Sequence, residues 1–299
     1  MSANTAISLA AEDATASLAT RGAELLSWRV GGRELIWHGD PAHWPWHAPI
    51  LFPIVGEASG GTIRVEGRAY PIARHGFARN MEFTLIERDE ARAHLRLTDS
   101  DETRARYPYP FRLDVVVTLA AASLSLVFEV SNTGDRDLPY AIGFHPAFLW
   151  PFDGSSQEDH AVVFAAEEDP VVPEITSTGS LRPKARRVPL KGRRLPLDPV
   201  LFTQDALVFL DARSLSLRFT APTGAAIGLE ADEFAHLALW TKPTAPFLSM
   251  EAWTGHADPE GFSGELADKP SMRLLGPGAR AQHAVTLRWH APDGRGGAV

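Results

Sequence analysis

Alternation of apolar and polar residues with period two runs through this 299-residue chain and leaves it few folds to choose from. In Phe111-Arg112-Leu113-Asp114-Val115-Val116-Val117-Thr118-Leu119 every odd position is apolar, while Arg112, Asp114 and Thr118 point the other way. Leu124, Leu126, Phe128 and Val130 repeat the pattern, and the link Ala120–Ser123 is short enough for a hairpin. Successive side chains of a strand leave opposite faces, so these segments read as antiparallel strands, packed on one face and wet on the other. Leu215–Phe219 and His283–Trp289 read the same way.

Further strands are expected at Ala14–Thr20, Glu24–Val30, Glu34–Trp37, Thr62–Val65, Met81–Glu87, Ala91–Thr98, Ala161–Ala165, Ala206–Leu210, Ala225–Glu230 and His236–Trp240. Turn residues such as Gly31-Gly32, Glu66-Gly67 and Thr223-Gly224 separate them. A single helical turn is expected at Asp101–Tyr107, capped by Ser100 or Asp101 and stopped by Pro108. Many short strands with almost no helix predict an all-β fold, a large antiparallel β-sandwich. No internal repeat or low-complexity linker divides the chain. One domain is therefore expected over 1–299, with its core at about 14–290, its least ordered stretch at Asp169–Pro199, and a frayed C-terminal tail from Pro292.

Composition removes several function classes. The net charge of −8 argues against a dedicated nucleic-acid binder. In the basic run Arg182–Arg194, prolines interrupt the charges and aromatics are missing, so it reads as a solvated loop. The absence of cysteine excludes disulfides, iron–sulfur clusters and thiol-based zinc sites. No basic residue precedes the weakly apolar N-terminal run, which Glu12 and Asp13 interrupt, so no secretory signal is read there. The longest apolar stretch, Ala48–Val55, is too short to span a bilayer and contains Pro49 and Pro53. A soluble, cytoplasmic protein is expected.

Two titratable residues stand in apolar, aromatic surroundings: His145 in Gly143-Phe144-His145-Pro146-Ala147-Phe148, and Glu251 in Phe247-Leu248-Ser249-Met250-Glu251-Ala252-Trp253. Burial favours the neutral form of each: it raises the Glu251 pKa toward the range useful for a general base, whereas it opposes a protonated His145, which would need an anionic neighbour such as Glu251 or Asp205. In Arg74-His75-Gly76-Phe77-Ala78-Arg79, two guanidinium groups flank a turn, and their planar forks suit a polyhydroxyl or anionic ligand. A turn with surface arginines and one structural histidine explains the same residues about equally well. Asp205 is either a turn cap or a hydroxyl acceptor. Among Trp37, Trp44, Trp46, Phe144, Phe148, Trp150 and Trp253, one or two could stack on the apolar face of a sugar. His38, His43 and His47 fit no strong zinc spacing, and glycine-rich phosphate loops, nucleophile elbows and dinucleotide fingerprints are missing.

Taken in order, His47-Ala48-Pro49-Ile50-Leu51-Phe52-Pro53-Ile54-Val55-Gly56, the Arg74–Arg79 segment, Gly143–Phe148 and Phe247–Gly255 resemble the aldose 1-epimerase (galactose mutarotase-like) superfamily, in its LacX-like branch. The resemblance covers about Ala14 to His290. It implies a mutarotase-type supersandwich with a sugar cleft, in which His145 is general acid on the ring oxygen and Glu251 general base on the anomeric hydroxyl. It also implies that His75 binds and polarises the sugar, that Asp205 holds hydroxyls, and that no metal or organic cofactor takes part. The family often has Glu-Pro-Trp where this chain has Glu251-Ala252-Trp253. Hexose-6-phosphate epimerases of the superfamily usually carry an arginine where this chain reads Trp46-His47-Ala48-Pro49, although Arg74 and Arg79 remain for a phosphate.

The expected activity is therefore interconversion of α and β anomers of a free hexose, with protonated His145 and ionised Glu251 on opposite sides of the hemiacetal. A hexose-6-phosphate 1-epimerase and a non-catalytic sugar-binding protein are the alternatives. The expected partner is a small sugar, with neither nucleic acid nor membrane, for a monomer or homodimer.

Overall fold

The computed structural model describes residues 6–292 and is built from antiparallel sheets. The alternating segments form the middle of a nine-stranded sheet, where Phe111–Ala120 and Ser123–Asn132 pair as the expected hairpin with Leu119 opposite Leu124. Arg280–His290 extends the sheet on one side and Arg92–Thr98 on the other. The apolar alternates, including Val115, Val117, Leu124, Leu126 and Phe128, are fully buried. On the opposite face Asp114 gathers His94 Nε2 at 2.6 Å, Arg96 Nε at 2.7 Å and Arg112 Nε at 2.7 Å. Burial pushes this carboxyl up, but the hydrogen bonds from His94 and the two arginines outweigh it and hold it below its ordinary value.

A six-stranded sheet lies against this one. It contains Leu207–Phe209, His236–Trp240, Phe247–Trp253, Gly143–Phe144 and Ile50–Leu51 in that order, with Ala147–Leu149 also on Phe247–Trp253. Leu248, Met250 and Ala252 enter the same hydrophobic cluster as Phe128, Leu126 and Val117, so this cluster is the interior of the sandwich. Phe144 meets Phe128 with ring centroids 5.9 Å apart, linking the two sheets directly beside His145. Phe247, Ser249, Glu251 and Trp253 leave the other face of their strand, as period two requires. All-β architecture and the near-absence of helix are as expected: the one α-helix among the described residues is Asp101–Arg104.

Several expectations need correction. The helical turn stops at Arg104, short of Tyr107, and Ser100 caps it in a capping box with Thr103. Strand pairing starts before Ala14, because Ala6–Ala11 lies along Ala14–Ala19. Leu215 is 65% exposed and precedes its strand, Ser216–Thr220. Asp169–Pro199 is not an irregular loop. It holds a ribbon of Val171–Ile175 and Leu181–Arg187, followed by the edge strand Arg194–Pro196. Part of the basic run is thus strand, and Arg182 makes a two-pronged contact with Glu260 at 2.9 and 2.8 Å. The C-terminal tail from Asp293 lies outside the described residues. No helix among the described residues is long and apolar enough to cross a membrane.

Phe128→Ala removes the aromatic that joins the large sheet to the strand preceding His145. It should cost about 3–5 kcal/mol, read as a lower urea midpoint at unchanged slope.

Candidate active site

The register of one strand brings the two buried titratable groups together. Gly143 and Phe144 pair with Trp253 and Ala252, while Ala147 pairs with Ser249. His145 and Pro146 fall in the gap between these ladders, opposite Glu251 and Met250. Proline has no N–H for a ladder, and the His145 N–H instead reaches the Pro49 carbonyl at 3.1 Å. Cross-strand neighbours lie within side-chain reach. His145 Nε2 is accordingly 3.3 Å from Glu251 Oε1, with Glu251 only 1% exposed.

Each partner is held from its far side by a residue two positions from Glu251. Ser249 Oγ lies 3.1 Å from His145 Nδ1, and Trp253 Nε1 donates to Glu251 Oε2 at 2.9 Å. The His145 ring stacks on Trp44, with centroids 4.9 Å apart, and meets Trp240 edge-on at 5.6 Å.

His75 comes from the other wall. Its φ of 67° lies in the left-handed region, and Gly76 follows at 73°. Any side chain at Gly76 would drive into the Phe52 carbonyl. This turn sets the His75 ring 5.9 Å from that of His145, nearly perpendicular to it. The Gly56 N–H donates to His75 Nδ1 at 3.1 Å, so the neutral ring carries its proton on Nε2. Arg74 pairs with Glu57 at 2.9 Å. Arg79 donates to the Arg74 carbonyl at 2.9 Å and lies over the Trp46 ring, while its buried Nε has no partner among the described residues. Asp205, at φ 70°, accepts from the Ala206 N–H at 2.8 Å, so the turn-cap role holds even as the residue lines the cleft.

All six sequence candidates, Arg74, His75, Arg79, His145, Asp205 and Glu251, line one cavity of about 400 Å³. Trp44, Trp240, Phe202 and Val208 complete its wall, and the ribbon adds Ile175, Gly179 and Leu181. The cleft thus presents an imidazole–carboxyl contact, a second imidazole N–H, guanidinium donors and aromatic faces.

A family model described as aldose 1-epimerase matches residues 5–280. The chain belongs to the aldose 1-epimerase family. The chromosomal LacX protein of Lactococcus lactis is 34% identical to it over 284 residues, spanning 91% of this chain and 95% of that protein. The galactose mutarotase related enzyme of Lactobacillus acidophilus superposes with a TM-score of 0.89 at 25% identity, covering 97% of this chain and 99% of that one. A galactose mutarotase-like protein of Lactobacillus casei gives a TM-score of 0.87 at 28% identity, with coverage of 96% and 100%. The supersandwich expected from the motifs is therefore the fold.

In this epimerase family member, burial governs the charges of the cleft. It pushes His145 down to about 3, with the Arg79 charge acting in the same direction and a backbone hydrogen bond opposing. It pushes Glu251 well above the ordinary carboxylate value, and the nearby Asp205 charge adds to the rise against the Trp253 hydrogen bond. His75 is lowered by burial and by the charges of His145, Arg79, Arg74 and Lys269. The two groups touch at 3.3 Å and do not face each other across a hollow as expected. Burial disfavours the charged form of each.

Several contributors escaped the sequence analysis. Ser249 and Trp240 are ordinary alternates of their strands, and only their register against His145 reveals them. Glu24 accepts from the N–H groups of His47 at 2.6 Å and Ala48 at 3.1 Å, which anchors the start of the His47–Gly56 motif. It sits next to a strand with nothing to distinguish it in one dimension.

Gly76→Ala should cost at least about 1–3 kcal/mol, from the left-handed backbone and the clash with the Phe52 carbonyl together, measured by urea unfolding. Acid sensitivity follows from the lowered histidines. A depressed pKa gives stability that is present above the unfolded value of about 6.5 and is lost as pH falls toward the folded value. His145, lowered to about 3, and His236, lowered to about 4, should both take up protons on unfolding below pH about 6.5. The unfolding free energy should therefore fall from pH 6 to 5, and His145→Asn should flatten that slope by about 1 kcal/mol per pH unit.

Proposed function

We propose that the protein is a mutarotase that interconverts the α and β anomers of a free hexose by acid–base ring opening at His145 and Glu251. The observation that carries this reading is the 3.3 Å contact between His145 Nε2 and Glu251 Oε1 at the floor of an open cleft. The two oxygens of a hemiacetal share one carbon, so a neighbouring acid and base can serve both. This adjacency suits the reaction.

The proton count closes around a pair that carries one dissociable proton. In opening, the anomeric hydroxyl gives its proton to the base of the pair. The C1–O5 bond breaks, the C1–O1 bond becomes a carbonyl, and the acid of the pair delivers its proton to O5. Rotation about C1–C2 and the reverse transfers then produce the other anomer. Ring opening leaves the proton on the other member of the pair, and closure returns it, so the pair ends as it began. The count is the same whichever member begins as the acid. The family resemblance assigns that role to His145, whereas burial favours Glu251 as the resting holder of the proton.

His75 offers a neutral Nε2–H to a sugar oxygen. Asp205 and Arg79 supply an acceptor and a donor for hydroxyls, and Trp44 or Trp240 offers a face for the C–H side of the ring. Arg74 has its charge matched by Glu57 at 2.9 Å, whereas Arg79 has no ion-pair partner among the described residues and is the cation left for an anionic substituent.

Polarimetry with freshly dissolved α-glucose and α-galactose tests the proposal. The wild-type protein should speed equilibration, and His145→Asn or Glu251→Gln should lower the rate by at least about 100-fold while leaving circular dichroism unchanged. A wild-type protein that leaves the spontaneous rate untouched would reduce the cleft to a binding site. A clear preference for glucose 6-phosphate that disappears in Arg74→Ala or Arg79→Ala would move the substrate to the phosphorylated sugars.

A further inference from the structure

The face of Phe247–Trp253 that carries Glu251 also carries Ser249, whose hydroxyl the mutarotase reading leaves without a task. Ser249 is fully buried. Its Oγ has His145 Nδ1 as its one hydrogen-bond partner among the described residues, and Nδ1 in turn has Ser249. The His145 ring cannot turn to find another. Trp44 lies along one face, Trp240 meets it edge-on, and its backbone is held by the Pro49 carbonyl. Within this fixed frame the remaining freedom is the choice of which ring nitrogen carries the proton.

That choice decides whether the pair can react. A neutral imidazole has one N–H and one lone pair. If the N–H were on Nε2, it would point at Glu251 Oε1, 3.3 Å away, and two donors would face each other whenever Glu251 holds its proton. With the N–H on Nδ1, the Nε2 lone pair faces Oε1 and is ready to accept. Once Nε2 has taken a proton the ring is an imidazolium, and Nδ1–H is still a donor. Both stages of the transfer thus need an acceptor at Nδ1, and Ser249 Oγ is the atom in place.

Trp253 treats the other partner differently. An indole N–H only donates, so its bond to Oε2 disfavours a proton on that oxygen and leaves Oε1 for the exchange. Ser249 and Trp253 therefore bracket the reacting atoms, one accepting behind the imidazole and one donating behind the carboxyl.

We propose that Ser249 is a positioning residue whose hydroxyl accepts from His145 Nδ1–H and so supports the tautomer that a protonated Glu251 favours, leaving Nε2 as the atom that exchanges protons with Glu251 and the sugar. This rests on the mutarotase reading for its catalytic consequence, while the tautomer itself can be observed without any substrate.

The experiment pairs nitrogen-15 NMR of the histidine side chains with polarimetry on the wild-type protein, Ser249→Ala and Ser249→Thr. In the wild type at neutral pH, the resonances assigned to His145 (by their loss in His145→Asn) should show a protonated Nδ1 and an unprotonated Nε2. Ser249→Ala should lose that signature and lower kcat by about 10- to 100-fold, the scale seen for outer partners of functional histidines, with KM little changed. Ser249→Thr keeps the hydroxyl and should restore both the signature and most of the rate. A wild-type His145 protonated on Nε2 overturns the proposal. So does a Ser249→Ala protein with unaltered kcat, or a threonine variant as slow as the alanine one. Should the wild type fail to catalyse mutarotation at all, the NMR result still decides the tautomer, and the two failures stay separate. If Ser249→Ala does not fold, the wild-type spectrum and the threonine variant carry the decision.

Discussion

Burial of one carboxyl governs this cleft. Glu251 is seated on a strand with every residue buried, and its polar contacts among the described residues are one indole N–H and one imidazole. A carboxylate so poorly solvated resists ionisation, and an imidazole at the same depth resists protonation. Neither group can hold a charge comfortably, so each is best neutralised by the other. A proton passed between them never leaves a net charge in the floor of the cleft. That property suits a reaction which moves protons on and off a sugar without consuming any.

The sandwich exists, in functional terms, to make that burial possible. Leu248, Met250 and Ala252 lock the strand from beneath by joining the core between the sheets. The opposite face is then free to carry polar residues at a depth where water is scarce. The gap between Gly143–Phe144 and Ala147–Leu149 sets His145 at the same level of the ladder. Register does the positioning, and the loop bearing His75 needs only to close over a geometry already fixed.

The sequence was informative wherever one face of a strand is wet. Phe111–Ala120 and Ser123–Asn132 could be read residue by residue because polar and apolar alternates experience different surroundings. It was least informative where both faces are dry. Phe247–Trp253 shows no clean alternation, since its cleft face is enclosed by aromatic rings and ribbon, so the central strand of the site was recognisable by motif and not by pattern. The ribbon within Asp169–Pro199 was obscured by its Pro, Ser, Thr, Lys and Arg content, which resembles loop composition. Its strands pair mainly with each other, and Val172 and Leu181 are among its few buried apolar side chains. Single candidates such as His75 and Asp205 stood out through family motifs, whereas Ser249 and Glu24 became visible only through contacts between segments far apart in the chain.

The ribbon brings a separate design element to the cleft. Its strands bond to each other, and it is fastened at the Leu181 N–H to the Asp258 carbonyl at 2.8 Å and at Arg182 to Glu260. Near its tip, Gly179 fits closely against the Arg74 side chain, and Ile175 and Leu181 form cleft wall. These fastenings lie outside the ladder that holds Glu251, while Ile175 packs against the cluster that contains Val208 and Trp253. Exchanges near the tip of the ribbon would reshape the mouth of the cavity and leave that ladder in place.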